Sequence, residues 1–336
     1  DTAMSGAPLP SGKLPAALLS EILGMDTPSP PELLLPPRLG EDAGVIALAD
    51  GALVVAGDPV TMTGADVGAH AVLVNANDIA VTGVRPRWFL ATILLPEGIA
   101  EDEIRALYAG MRRALKKHNI LLVGGHSEIT ASVRQTVVSG HMLGFSPDGA
   151  FLCTADIDPG DVIVQIGAAP VEGAAVLANE AGAAEGSVAP GLWHAARTAL
   201  DEPGISVVEA ALGAQALGAR ALHDPTEGGL SAGLYEMAEA AGLELQIERD
   251  AVLWFEPGTA LCATLGADPW GALASGALLA AFPAQRAEAA CQALGKDGYL
   301  AAIIAHAAPG AGVRFKDGPP QQRFERDEVL RVLPSA

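Results

Sequence analysis

Apolar residues recur at helical spacing over residues 14–23 and again over 101–117, where Lys116 and Lys117 close the segment. Between these, short apolar runs at 45–49 and 53–56 flank Asp50-Gly51, a strong hairpin signal. Residues 67–82 are apolar on nearly every side and predict a buried helix. Residues 88–95 and 133–143 read as strands, and 120–123 as a short strand ending at Gly124-Gly125. After the turn Asp158-Pro159-Gly160-Asp161 comes a buried strand at 162–167. Alanine-rich helices are predicted at 171–183 and 190–217, then a loop at 223–229, a helix to Ala241 and a strand at 243–248. Strands at 277–282, 299–304 and 312–315 and a helix at 284–294 complete the pattern.

Strands and helices alternate in both halves, which predicts two α/β or α+β units. The polar loop Ser146-Pro147-Asp148-Gly149 marks their division. The expected organisation is a leader and helix over 1–35, an N-terminal domain over 36–148, a C-terminal domain over 149–325 and a tail over 326–336.

Composition narrows the function. Half of the 336 residues are hydrophobic and the formal charge is −20. A surface this acidic repels phosphate backbones and anionic lipid, so neither nucleic acid nor membrane is expected as a partner. An anionic ligand would need a metal ion, basic side chains or backbone N–H groups to hold it. Cys153, Cys262 and Cys291 lie far apart, which argues for a reducing, cytoplasmic setting and against a zinc site. The longest uncharged stretch, 269–285, contains glycines and Pro283 and falls short of the roughly 20 apolar residues of a membrane span.

Five loops carry candidate chemistry. They are Gly40-Glu41-Asp42, Gly57-Asp58-Pro59-Val60-Thr61, Asn75-Ala76-Asn77-Asp78, Gly124-Gly125-His126-Ser127-Glu128 and His223-Asp224-Pro225-Thr226-Glu227-Gly228-Gly229. Each sets a hard oxygen donor beside glycine, proline or an apolar run, and magnesium takes a few such carboxylates together with water and phosphate oxygens. Asp78 is the most telling, because a carboxylate among Val72, Val74, Ile79 and Val81 is costly unless paired or metal-bound. Taken singly, Asp42 and Asp58 also suit turns, Asn75 could bridge backbone, and Asp224 could cap the helix after Gly229. No GxxxxGK[ST] or GxGxxG signature competes.

Together with Gly83-Val84-Arg85-Pro86 and Ser275-Gly276-Ala277-Leu278-Leu279, this series resembles the AIR synthase-related, or PurM-like, superfamily, which includes aminoimidazole ribonucleotide synthetase, thiamine-monophosphate kinase, selenophosphate synthetase and HypE. The resemblance runs from about residue 40 to 315 and is nearest to the HypE branch. It implies a PurM-like fold: an N-terminal α/β domain that dimerises through its sheet and a C-terminal α+β domain closing over ATP. It implies Asp42, Asp58 and Asp78 as magnesium ligands, with Asn75, Asn77, Gly124, Gly125, Thr226, Gly228 and Gly229 contacting the nucleotide. His126 and Asp224 become the candidate catalytic residues. The expected activity is an ADP-forming phosphotransferase or synthetase acting on a small acceptor. The alternatives are a non-catalytic, ATP-dependent accessory protein for a maturation partner, and a phosphohydrolase that uses His126.

Two departures stand out. His126 occupies the place where many relatives carry an aspartate after Gly-Gly, with Glu128 as a replacement carboxylate or His126 itself as acid/base or structural residue. HypE proteins use a C-terminal cysteine, whereas this chain ends Leu333-Pro334-Ser335-Ala336, so the full HypE reaction is not expected. Arg85 and Arg87 are candidate ATP or acceptor contacts because cations are scarce, and acceptor-contacting loops are expected at 184–204 and 254–275.

Overall fold

The computed structural model describes residues 14–23, 30–61, 66–181, 185–324 and 326–333. The expected leader at 1–12 lies outside them. After helix α1 (Ala16–Leu23), the first half builds a seven-stranded sheet from β1 (Leu33–Leu35), β2 (Gly44–Leu48), β3 (Gly51–Ala56), β4 (Pro59–Val60), β5 (Pro86–Leu95), β6 (Leu121–Ile129) and β7 (Val137–Ser146). Its order is β1-β2-β3-β7-β5-β6, with β4 also on β7. Only the β5–β6 pair is parallel among these neighbours, and α3 (Glu101–Lys117) makes the crossover between its two strands.

Asp50-Gly51 does turn β2 into β3 as an antiparallel hairpin. α2 (Val67–Ala80) packs against α3 and β7, burying Ile79 with Phe89, Ile93 and Met142. The acidic first turn and basic last turn of α3 suit the helix dipole. β6 departs from expectation: it runs through the glycines rather than ending at them. Gly125 makes this possible, since a Cβ there would lie 2.1 Å from the Ala91 carbonyl oxygen of β5.

The second half forms a six-stranded sheet in the order β13-β10-β12-β8-β11-β9. Its strands are β8 (Asp161–Ile166), β9 (Ala221–His223), β10 (Glu244–Ile247), β11 (Leu278–Pro283), β12 (Ala301–Ala308) and β13 (Gly312–Phe315). β8 is buried along its whole length, Asp161 and Gln165 included. Around the sheet lie α4 (Val171–Glu180), α5 (Pro190–Arg197), α6 (Val208–Ala216), α7 (Gly229–Ala241), α8 (Glu256–Leu265), α9 (Ala284–Lys296) and α10 (Glu328–Val332).

The single helix expected over 190–217 is broken into α5 and α6. Pro203 lacks an N–H to donate, and Glu202 has extended rather than helical angles. The 254–275 stretch, expected as a loop, contains α8.

Candidate functional site at the domain joint

The joint between the two halves gathers several of the predicted residues. Asp42, in the loop between β1 and β2, places Oδ2 2.9 Å from Nδ1 of His223, at the end of β9. The other ring nitrogen, Nε2, lies 2.8 Å from Glu236 Oε2 on α7. Burial alone would lower the His223 pKa, but Asp42 and Glu236 outweigh it and hold the group well above the usual imidazole range. An imidazolium here donates both ring N–H groups to carboxylates.

Asp224 follows directly and is 3% exposed. Its Oδ1 is buried without a hydrogen-bond partner. Burial raises its pKa well above the carboxylate norm; Asp42 and Asp58 push the same way and His223 opposes them. Asp42, Asp58 and Asp224 are thus close enough to interact electrostatically, while Asp78 is buried on α2. Among the described residues, no three His, Cys, Asp or Glu side chains form a ready-made metal cage. The donor set nonetheless suits a magnesium ion that takes its remaining oxygens from water and phosphate: hard carboxylates repel one another, and a buried carboxylate oxygen lacks a partner.

Several residues expected to touch nucleotide are engaged elsewhere. Asn75 accepts the Asp58 N–H at 2.9 Å and donates to the Asp58 carbonyl at 3.1 Å, so it brackets the Asp58 backbone. Asn77 is fully buried, donates to the Ile205 carbonyl at 2.9 Å and accepts the Val207 N–H at 2.9 Å. It ties the domains together and has no side-chain acceptor or donor turned toward a cleft. The Gly228 N–H goes to Asp327 Oδ2 at 2.7 Å, and the Gly229 N–H goes to the Thr226 carbonyl at 3.1 Å. Both amides are therefore already paired within the protein. Both glycines take positive φ, and a Cβ on Gly229 would meet the Trp270 carbonyl oxygen at 2.4 Å. The Thr226 carbonyl also accepts the Ala274 N–H at 3.2 Å, tying this loop to the one before Ser275.

His126 is not brought to this joint. It projects from edge strand β6, with a side chain 64% exposed and Nε2 3.2 Å from Glu128 Oε2. Gly124 and Gly125 lie beside it in β6, so Gly125 serves strand pairing. Arg85 forks onto Glu209 of α6, and Arg87 stacks over Trp88 at 4.7 Å.

Residues beyond the candidate ligands also build the joint. Glu41 accepts the Thr154 and Ala155 N–H groups at 3.1 and 3.4 Å. His70 of α2 pairs with Glu172 of α4 at 2.8 Å, and both are largely buried. Burial would lower the His70 pKa, but Glu172 raises it overall; burial would raise that of Glu172, but His70 depresses it overall. The place of Glu172 in the first turn of a nearly all-apolar helix was the available signal, comparable to that of Asp78.

The chain matches the model of the AIR synthase related protein N-terminal domain over residues 40–146 and of the corresponding C-terminal domain over 158–318. It belongs to the AIR synthase-related family. The carbamoyl dehydratase HypE of Azotobacter vinelandii is 30% identical over 272 residues, covering 78% of this chain and 77% of that protein. In fold, the chain is similar to a HypE–HypF complex structure, with a TM-score of 0.70 at 21% identity over 92% of this chain and 99% of the other. It is also similar to hydrogenase maturation protein HypE in complex with ATP, with a TM-score of 0.70 at 22% identity over 86% and 90% of the two chains. The fold is therefore the two-domain PurM-like architecture implied by the motif series.

Proposed function

We propose that the protein binds ATP with magnesium at the domain joint and transfers its terminal phosphoryl group to an oxygen of a small acceptor or partner-borne group, releasing ADP. The observation that carries this reading is the buried, partnerless Oδ1 of Asp224, a carboxyl whose pKa burial and the charges of Asp42 and Asp58 raise. Such a site lowers its energy by gaining a cation, and magnesium held by a few carboxylates completes its shell with water and phosphate oxygens. Asp42, Asp58, Asp78 and Asp224 would hold the magnesium, which would neutralise phosphate charge; the joint would orient nucleotide and acceptor. The ATP-bound HypE neighbour supports the nucleotide. Loss of water from a carbamoyl group, the activity that names the HypE relative, is a reaction in which phosphorylating the oxygen creates a leaving group.

Calorimetry with ATP, with and without magnesium, tests the site. Wild type should bind in a magnesium-dependent manner and Asp224→Asn should lose that dependence. Equal magnesium-independent binding by both proteins would sink the reading.

A second reading, an ATP-dependent accessory role without turnover, is favoured by the HypE–HypF complex neighbour. Capture of one defined partner in ATP but not ADP, with no phosphoryl transfer, would select it.

The expected homodimer has its own support. Every residue of edge strand β6 is exposed, among them Leu121, Leu122, Val123 and Ile129. An open apolar edge of this length invites pairing with a second copy. No helix among the described residues is long and apolar enough to cross a membrane.

A further inference from the structure

Beyond β13 the chain turns back over α7. The Tyr235 hydroxyl donates to the Gln321 carbonyl at 2.7 Å, and the Ser231 hydroxyl donates to the Gln322 carbonyl. Arg323 forks onto Glu239 and lies over the Tyr235 ring at 5.3 Å. At the end of this strap stands Asp327, 3% exposed. Its Oδ2 accepts the Gly228 N–H at 2.7 Å, its Oδ1 accepts the Val329 N–H at 2.8 Å, and the Leu273 N–H also donates to this carboxylate. One side chain thus collects donors from three separate segments.

The strap is itself anchored. Glu328 accepts the Asp268 N–H at 2.8 Å and pairs with Arg331 at 2.6 Å, while Val329 is fully buried. The strap itself lies past residue 318, where the family match ends.

We propose that Asp327 is a positioning residue for the domain-joint site, holding the left-handed Gly228–Gly229 turn in place and, through it, Thr226 and Asp224. Two successive residues at positive φ form a turn that only glycine adopts readily, and glycine leaves the turn mobile unless other groups fix it. A buried carboxylate accepting several N–H groups fixes it strongly. The same N–H groups are the ones a phosphate would seek at a helix start. Asp327 takes the Gly228 N–H internally, so the turn acts as a rigid support rather than an anion cradle. Releasing Gly228 would leave a carboxylate buried between Leu273 and Val329, so the contact is a fixed tie and not a competitor that steps aside.

The inference rests on the domain joint being the nucleotide site, and the experiment separates the two claims. Magnesium–ATP calorimetry is run on wild type, Asp327→Ala, Asp327→Asn and Arg331→Ala, beside hydrogen exchange of the peptide covering 223–230 and thermal midpoints. Asp327→Ala should weaken ATP about tenfold or more, as loss of a buried acceptor shared by several N–H groups implies. Asp327→Asn should recover part of that, because one carbonyl oxygen still accepts. Arg331→Ala should lower the midpoint yet leave ATP affinity within about twofold. Exchange in the 223–230 peptide should rise about tenfold in both Asp327 variants and stay unchanged over 67–80. Unchanged affinity and unchanged exchange would overturn the inference, and tighter binding by Asp327→Ala would show a carboxylate competing with phosphate instead. If wild type binds no ATP, the nucleotide reading fails, and the exchange comparison still decides whether Asp327 holds the turn. Should Asp327→Ala not fold, Asp327→Asn carries the comparison.

Discussion

His223 bridges the two halves of the molecule, its Nδ1 2.9 Å from Asp42 and its Nε2 2.8 Å from Glu236. The ring supplies positive charge between the carboxylates of Asp42 and Glu236, and it does so as an imidazolium. His223→Gln should therefore cost about 3 kcal/mol in urea unfolding, as breaking a buried ion pair does. Because burial is outweighed by the two carboxylates and the folded pKa is raised, this stabilisation is complete below the ordinary imidazole pKa. It is lost as pH rises through the folded value. Wild type should lose stability on the alkaline side more steeply than His223→Gln.

Asp224 behaves in the opposite sense. Burial, followed by repulsion from Asp42 and Asp58, raises its pKa, so its ionised form weakens the magnesium-free protein. Asp224→Asn should hold or gain stability, by about 1 kcal/mol near neutral pH, with the gain shrinking when magnesium and ATP are added. A matched pair of thermal melts, with and without ligand, reads this directly. A large loss of stability in the ligand-free variant would refute it.

The His70–Glu172 pair makes stability fall on both sides of neutrality. The depressed Glu172 contributes stability above the ordinary carboxylate pKa that disappears as pH falls through its folded value. The raised His70 contributes stability below the ordinary imidazole pKa that disappears as pH rises through its folded value. Glu172→Gln should cost about 3 kcal/mol and flatten both limbs of the pH–stability curve.

Asn77→Ala leaves the Ile205 carbonyl and the Val207 N–H buried without their partner. A loss of about 2 kcal/mol is expected by denaturant titration. His126→Ala, on an exposed strand, should change stability by less than about 0.5 kcal/mol.

Leu122→Asp tests the open edge. Light scattering should show a dimer for wild type and a monomer for the variant, whose charge lies on exposed β6. A wild-type monomer at micromolar concentration would remove the pairing argument.

Local patterns determined much of this protein. Alternation and turn chemistry predicted β2–β3, α2, α3 and β13, because those elements follow from periodicity, Asp50-Gly51 and helix-end charge within a few residues. The motif series likewise carried the family, since it depends on residue order alone. The tertiary structure decided where side chains meet. Asn77 and Gly228 look like nucleotide contacts by position, yet their hydrogen bonds are taken by residues about 130 and 99 positions away along the chain. The ladder of acidic loops from Asp42 to Asp224 was legible in the sequence. That Asp42 faces His223, that Asp224 is left with a buried open oxygen, and that His126 stands apart on an edge strand were not, because contacts between distant segments depend on packing and not on local spacing.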